Sequence, residues 1–212
     1  MNKLRLKLRL GVSQRRLPEQ SHAFARDALD AAWGSWFANL WSDVQFLAIP
    51  NFDDPTLAVT YAKDWELTGF VLSGGGDVDS SPERASVEAA LLDFACTQNM
   101  PVLGVCRGMQ MLHRYSGGEL TRIRDHVNTI HGVFTQGSWL QVNSWHDFGI
   151  HNLCEDWRSL AVAVDGSVEA MQHNRLPWLG LMWHPERPNG THPIVWEWIE
   201  WCFGNQYRAT RQ

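Results

Sequence analysis

The ten residues from Pro101 to Gln110, Pro-Val-Leu-Gly-Val-Cys-Arg-Gly-Met-Gln, constrain the fold more than any other stretch. They put a thiol between two glycines at the point where a buried strand must hand over to a helix. Val102, Leu103 and Val105 suit a buried strand, while Met109, Met111, Leu112 and Tyr115 recur at spacings that suit a helix packed on a sheet. Gly104-Val105-Cys106-Arg107-Gly108 therefore reads as the sulfur version of the Gly-x-Ser-x-Gly turn, in which glycines permit a strained backbone and close helix–strand packing. Cys106 then sits at a helix N-terminus, where the helix dipole, with Arg107 beside it, favours thiolate over thiol. Taken alone, the segment reads equally well as a structural cysteine buried in a strand–helix turn.

A second segment changes that balance. Leu179 to Glu186 is an apolar strand ending in His184-Pro185-Glu186. Pro185 holds His184 extended. Residues two apart in an extended chain point to the same side, so Glu186 can reach one imidazole nitrogen while the other faces a partner thiol. This is the base and orienting group that a thiol nucleophile needs. In a third segment, Gly69 to Asp79, a short apolar strand runs into Gly74-Gly75-Gly76. An N–H from Gly75 or Gly76, together with that of Arg107, can hold the oxyanion of a tetrahedral intermediate, although by itself the loop reads as a phosphate cradle or a tight turn. Asp77 and Asp79 have no matching histidine or carboxylate cluster beside them, and a thiolate–imidazole reaction needs no ion. Neither a metal nor another cofactor is expected.

Together the three segments resemble the class I glutamine amidotransferase-like superfamily, within its gamma-glutamyl hydrolase branch. The resemblance runs through Gly11-Val12-Ser13-Gln14-Arg15, Ser73 to Asp77, the elbow, His126-Val127, Val142-Asn143-Ser144-Trp145-His146, Asp165 to Ala170 and Trp183 to Glu186. It implies a Cys106–His184–Glu186 triad and a gamma-glutamyl thioester intermediate. It also implies an oxyanion site at Gly75, Gly76 and Arg107, with Gln110 beside the gamma-glutamyl group and Ser144, Trp145 and His146 contacting the glutamyl head largely through backbone atoms. His146, His131 and His126 are otherwise readable as structural histidines. Ala32-Trp33-Gly34, Val142 to Ile150 and Met182 to Arg187 are similar to a narrower group that acts on a nucleotide-linked gamma-glutamyl amide during capsule phosphoramidate synthesis. There Arg107 and Arg187 would pair with a diphosphate and Trp145 or Trp183 would stack on a base. The wider family usually has Gln at the position of Met182, which fits the narrower group, and often has Arg-Asp where this chain has Arg84-Ala85.

The implied partner is a small-molecule gamma-glutamyl substrate, with a homo-oligomer admitted. A glutaminase passing ammonia to a separate synthetase is the runner-up, with a hydrolase of a gamma-glutamyl-amine such as gamma-glutamyl-aminobutyrate beside it, and a non-catalytic binding protein is the third reading. Composition fits one enzyme domain over residues 1–212, since 44% hydrophobic content in a chain of this length can bury one sizeable core. A formal charge of −5 argues against a nucleic-acid-binding surface. Leu4, Leu6, Leu8 and Leu10 alternate with Arg5, Lys7 and Arg9, which predicts a half-buried first strand. A continuous apolar stretch of signal-peptide or membrane-spanning length is absent, so a cytoplasmic, membrane-free protein is expected. Cys96, Cys154 and Cys202 are widely spaced and expected to be reduced thiols. The tryptophans Trp33, Trp36, Trp41, Trp196, Trp198 and Trp201 fall on predicted helices, where core packing or a subunit contact explains them better than base stacking.

Strands near 4–13, 45–49, 69–73 and 101–105 alternate with helical patterns near 23–40, 55–66, 82–99 and 107–116. Short β segments follow up to Trp183, and a helix over about 194–203 closes the chain. The order predicts an α/β fold with a mostly parallel central sheet, helices on both faces and a small antiparallel β patch, in a flavodoxin-like three-layer arrangement. The candidate residues would then gather at the carboxyl ends of strands.

Overall fold

Short apolar runs separated by amphipathic helices are best satisfied by a parallel sheet covered on both faces. The first half of the chain adopts that arrangement. The computed structural model describes residues 8–20, 24–40, 44–190 and 192–203. Its elements are β1 (Leu8–Ser13), β2 (Arg15–Leu17), β3 (Arg26–Ala28), α1 (Ala32–Leu40), β4 (Val44–Ile49), α2 (Thr56–Asp64), β5 (Gly69–Leu72), α3 (Pro82–Gln98), β6 (Val102–Val105) and α4 (Arg107–Tyr115). After these come β7 (Thr121–Arg122), β8 (Val127–Thr135), β9 (Ser138–Trp145), β10 (Phe148–Gly149), β11 (Trp157–Ala163), β12 (Val168–His173), β13 (Trp178–Leu181) and α5 (Pro193–Phe203).

The principal sheet has nine strands in the order β4-β1-β5-β6-β13-β12-β11-β8-β9. From β4 to β13 every pairing is parallel, and from β13 to β9 every pairing is antiparallel. The antiparallel part is thus a continuation of the sheet and larger than the patch expected. Two short ribbons, β2–β3 and β7–β10, stand apart from it. Among the described residues no helix is long and apolar enough to cross a membrane.

One face of the sheet carries α1 and α5, whose Trp33, Phe37, Ile194, Val195, Trp198 and Ile199 pack on Val12, Leu103, Leu179 and Leu181. The other carries α2, α3 and α4 through Ala58, Ala62, Leu91, Leu92, Met109 and Leu112. Strands β5, β6 and β13 are buried along their whole length, which is why they read as unbroken apolar runs. Ser81 begins α3 by accepting from the Arg84 N–H at 3.4 Å, with Pro82 in the first turn, and Asn99 ends it in the left-handed conformation, φ 51°.

Two expectations need correction. The first strand is not half-buried; β1 lies between β4 and β5, and both its faces are covered. Residues 4–7 of the predicted strand lie outside the described residues. The helix expected over 23–40 begins only at Ala32, where the Ala32 N–H donates to the Asp30 carboxylate at 3.0 Å. Arg26–Ala28 instead pairs with Arg15–Leu17 as a ribbon, held by the Arg16–Asp27 ion pair at 3.2 Å and by the hydrogen bonds of Asp27 to Asn51. Trp33 and Trp36 meet edge to face with ring centroids 5.2 Å apart, so this tryptophan group is core packing; Trp41 lies outside the described residues. Cys96, Cys106, Cys154 and Cys202 are free thiols, with Cys96 exposed.

Candidate active site

The elbow is built from steric necessity. Cys106 has φ 52° and ψ −108°, a strained conformation for a residue with a side chain. Its N–H donates to the Leu181 carbonyl at 2.7 Å, and its carbonyl accepts from the Gln110 N–H at 3.1 Å to open α4. The flanking glycines let β5, β6 and α4 close on one another. A Cβ on Gly108 would lie 2.0 Å from the Leu72 carbonyl oxygen, and one on Gly104 would lie 2.6 Å from that of Gly108.

His184 follows β13, which runs parallel to β6 with Leu181 opposite Val105, so the elbow and His184 leave neighbouring strands at the same end. Asn143 grips the histidine backbone from both sides, accepting from the His184 N–H at 2.9 Å and donating to the His184 carbonyl at 2.9 Å and the Pro188 carbonyl at 2.9 Å. The Nδ1 of His184 lies 2.6 Å from Oε1 of buried Glu186. A Cβ on Gly74 would sit 3.4 Å from His184 Nε2 and 3.5 Å from Cys106 Cβ, so both groups close on the same small space above that glycine. Burial works against protonating His184, but its hydrogen bonds to Cys106 and Glu186 outweigh it, and the imidazole is pushed up to about 9.

The glycine loop is oriented from behind by Arg84. This buried guanidinium donates to the carbonyls of Ser73 at 2.5 Å, Gly75 at 2.9 Å and Gly74 at 3.3 Å. In a trans peptide the C=O and the following N–H point in opposite directions, so drawing the Gly74 and Gly75 carbonyls inward turns the N–H groups of Gly75 and Gly76 outward. Both glycines line the cleft and have positive φ, 95° and 75°. Substitution of Ala85 for the family's acidic residue leaves this anchor in place, because Arg84 is held by Glu88 at 2.9 Å.

Together these residues open on a cleft of 330 Å³ lined by Arg15, Gly75, Gly76, Cys106, Gln110, Trp145, His146, His184 and Arg187, among others. Gln110 donates to the Phe148 carbonyl at 3.0 Å. Trp145 is 44% exposed, and the Arg187 guanidinium stands 5.4 Å above its ring while pairing with Asp30 at 3.0 Å.

Other predicted residues are placed differently. The Arg107 side chain is buried in an ion pair with Glu88 and aimed at the Asp77 and Val78 carbonyls, so it cannot reach a diphosphate. Its backbone N–H stays in the first turn of α4, where no intrahelical acceptor exists. Trp183 is fully buried, donates to the Gly190 carbonyl at 3.0 Å, and cannot stack on a base. The Ser144 hydroxyl donates to the His126 carbonyl at 2.6 Å, and Ser144 is fully buried and does not line the cleft. The Nδ1 of His146 donates to the Phe148 carbonyl at 3.0 Å, and its Nε2 lies 3.6 Å from Glu169. Asp79 is exposed and 3.5 Å from Arg114, away from any histidine group.

Arg15, Asn143 and Glu169 were not singled out from the sequence. Arg15 stands at the end of the Gly11–Arg15 strand motif and could have been found by asking which cation that motif delivers to the cleft.

The family model for glutamine amidotransferase class-I matches residues 43–199. The chain belongs to that family. Among class I glutamine amidotransferases and their relatives, it is 30% identical over 203 residues to the gamma-glutamyl-CDP-amidate hydrolase of Campylobacter jejuni, a match covering 90% of this chain and 96% of that protein. It is 26% identical over 176 residues to a glutamine-hydrolyzing GMP synthase subunit of Thermococcus kodakarensis, covering 75% and 88% of the two chains. In fold it is similar to the crystal structure of a GMP synthase subunit protein from Thermoplasma acidophilum, with a TM-score of 0.74, 20% identity and 96% of each chain covered. The chain is therefore a glutamine-amidotransferase-like hydrolase.

Proposed function

We propose that the protein hydrolyses a gamma-glutamyl amide with Cys106 as nucleophile, His184 as proton carrier and Glu186 as the group that orients and charges the imidazole. The observation that carries this reading is His184 itself, with Nδ1 held 2.6 Å from Glu186 and its remaining edge against Cys106 at the strained elbow. His184 takes the thiol proton, and the thiolate adds to the δ carbonyl of the substrate. The oxyanion gathers hydrogen bonds from the N–H groups of Gly75, Gly76 and Arg107. Collapse breaks the C–N bond, the His184 imidazolium protonates the departing nitrogen, and a gamma-glutamyl thioester remains. His184 then removes a proton from water, which attacks the thioester and releases glutamate and the thiol.

A nucleotide-linked leaving group suits the mouth of this cleft. Exposed Arg15 and half-exposed Arg187 supply two guanidiniums where a diphosphate would emerge, and Trp145 offers an aromatic face beside Arg187. The relative named gamma-glutamyl-CDP-amidate hydrolase supports that choice of substrate, whose hydrolysis frees glutamate and a cytidine diphosphoramidate. The relatives named as GMP synthase subunits favour a second reading, a glutaminase that supplies ammonia to a synthetase.

The test compares kcat/KM for gamma-glutamyl-CDP-amidate, gamma-glutamyl-aminobutyrate and glutamine. The nucleotide substrate should win clearly; gamma-glutamyl-aminobutyrate turned over at an equal or higher kcat/KM would replace this assignment by a gamma-glutamyl-amine hydrolase, and glutamine doing so would replace it by the glutaminase reading. Cys106→Ala should lower glutamate release by about 10³-fold or more on the best substrate, with the fold unchanged. Activity within tenfold of the parent would end the covalent mechanism.

A further inference from the structure

Behind the cleft, which His146 also lines, three imidazoles and one carboxylate converge where β8 begins, β9 ends and β12 starts. His126 Nδ1 lies 3.5 Å and His146 Nε2 lies 3.6 Å from Glu169 Oε1, and His131 Nε2 lies 3.5 Å from Glu169 Oε2. One ligand atom from each of the four residues falls within 4.8 Å of the others. Glu169 is 0% exposed, and the side chains of His126 and His146 are 6% and 1% exposed.

The outer edges of two rings determine what their inner edges can do. His146 uses Nδ1 to donate to the Phe148 carbonyl at 3.0 Å, and His126 directs Nε2 to Asp165 at 3.1 Å. When those nitrogens carry the ring protons, the opposite nitrogens present lone pairs to a buried carboxylate that is itself rich in lone pairs. Nδ1 of His126, Nε2 of His131, Nε2 of His146 and Oε2 of Glu169 are all buried without a hydrogen-bond partner. Such convergence of acceptors is costly unless a cation sits among them.

We propose that His126, His131, His146 and Glu169 form a tetrahedral site for a divalent transition ion of the zinc type. At bond lengths of about 2.0–2.1 Å a tetrahedral ion sets its ligand atoms about 3.3–3.4 Å apart. His126 and His146 stand 3.5 and 3.6 Å from Glu169 Oε1, His131 stands 3.5 Å from Oε2, and the four ligand atoms lie within 4.8 Å of one another, so the rings would draw inward by about 1 Å to close on an ion. Three imidazoles and a carboxylate suit zinc better than calcium or magnesium, which take oxygen ligands. Asp165 and the Phe148 carbonyl are the outer partners that orient ligand histidines. Four protein ligands close the coordination sphere, so the ion would be structural and would tie the β8–β9 hairpin to β12. The proposal is independent of the reaction assigned to the cleft.

The experiment measures metal in untagged full-length protein purified without chelator. Expected are about one zinc per chain by mass spectrometry and, after chelation and addition of Co²⁺, the intense visible absorption of a four-coordinate cobalt site. His131→Gln and Glu169→Gln should each reduce zinc uptake to about 0.1 equivalent or less, and chelation should lower the melting temperature reversibly, with recovery on adding stoichiometric Zn²⁺. Folded, chelator-treated parent that takes up less than about 0.1 equivalent of Zn²⁺ would overturn the proposal in favour of a protonated histidine as the cation. Undiminished uptake in folded variants would also overturn it, by placing the metal elsewhere. If neither variant folds, the cobalt spectrum of the parent decides, and a six-coordinate or absent signal counts against the site.

Discussion

Glu88 is the residue whose removal tests most directly how the cleft is held in shape. Its carboxylate is 0% exposed and accepts from Ser13 Oγ at 2.7 Å, from Arg84 Nε at 2.9 Å and from Arg107 Nη1. Burial opposes its charge, but the two guanidiniums outweigh that penalty and hold the carboxyl below the usual carboxylate range. Glu88→Ala would leave two buried cations facing each other with no counter-charge. Breaking a buried pair in this way costs about 3–5 kcal/mol, a large share of the roughly 5–15 kcal/mol that stabilises a typical domain. With a urea dependence of about 2 kcal/mol per molar, the unfolding midpoint should fall by roughly 1.5–2.5 M. A midpoint within about 0.3 M of the parent would refute the claim that this carboxylate neutralises both arginines. The triple variant R84M/E88L/R107M separates stability from positioning, because apolar replacement of a whole buried ionic group is often neutral or stabilising. Its midpoint should recover while kcat stays about 10²-fold low, since the Ser73, Gly74 and Gly75 carbonyls have lost the guanidinium that turns the loop. Parental kcat in a stable triple variant would show that the loop holds its own shape.

Two further outcomes follow from the geometry around His184. Its imidazole titrates at about 9 in the folded protein against 6.5 ordinarily, so the protonated ring contributes stability that is complete below pH 6.5 and lost as the pH rises through 9. Glu186→Gln removes one of the groups holding that proton, so its denaturation midpoint should fall furthest behind the parent near pH 6 and approach it above about pH 9.5; a pH-independent gap would contradict this. Asn143→Leu removes three hydrogen bonds to the His184 and Pro188 backbone and should lower kcat by about 10–100-fold with KM nearly unchanged. A change confined to KM would mean that Asn143 does not position the histidine.

The parts of this architecture that could be read in advance are those whose cause is local. Strands β5, β6 and β13 announce themselves because burial on both faces requires continuous apolar runs, and the elbow because glycine is the residue that admits such close helix–strand contact. His184 and Glu186 do meet as expected, but through a turn and not an extended segment. β13 ends at Leu181, and the Arg187 N–H donates to the His184 carbonyl at 3.2 Å, closing a turn over Pro185 and Glu186. That turn is still local in sequence, so their meeting needed no knowledge of the rest of the chain. The fate of Arg107 did need it. Nothing near residue 107 reveals that Glu88, on another helix, takes its guanidinium and leaves the cleft to Arg15. The ribbon of β2 and β3 was concealed for the same reason, since Arg26–Ala28 becomes a strand through Arg16 and Asn51 and not through its own pattern. Residues 126, 131, 146 and 169 have no metal-motif spacing. They converge only because the sheet order brings β8, β9 and β12 to one region, with β11 between β8 and β12.

Strand alternation then explains how one segment reaches both the cleft and the histidine cluster. At the end of β9, side chains of residues two apart share a face. Asn143 holds the His184 backbone and Trp145 lines the cleft. Between and beyond them, Ser144 bonds to the His126 carbonyl, and His146 directs Nε2 toward Glu169 while its other ring edge meets the Phe148 carbonyl that also accepts from Gln110. A shift of β9 by one residue would exchange Asn143 and Ser144, so the contact of Ser144 with the His126 carbonyl helps fix the register that keeps Asn143 on the His184 backbone. The wide sheet therefore has a chemical consequence. Its antiparallel extension brings Trp145 and His146 to the cleft, while the parallel half supplies the thiol, the glycine loop and the imidazole, and the two halves meet where β13 pairs with β12.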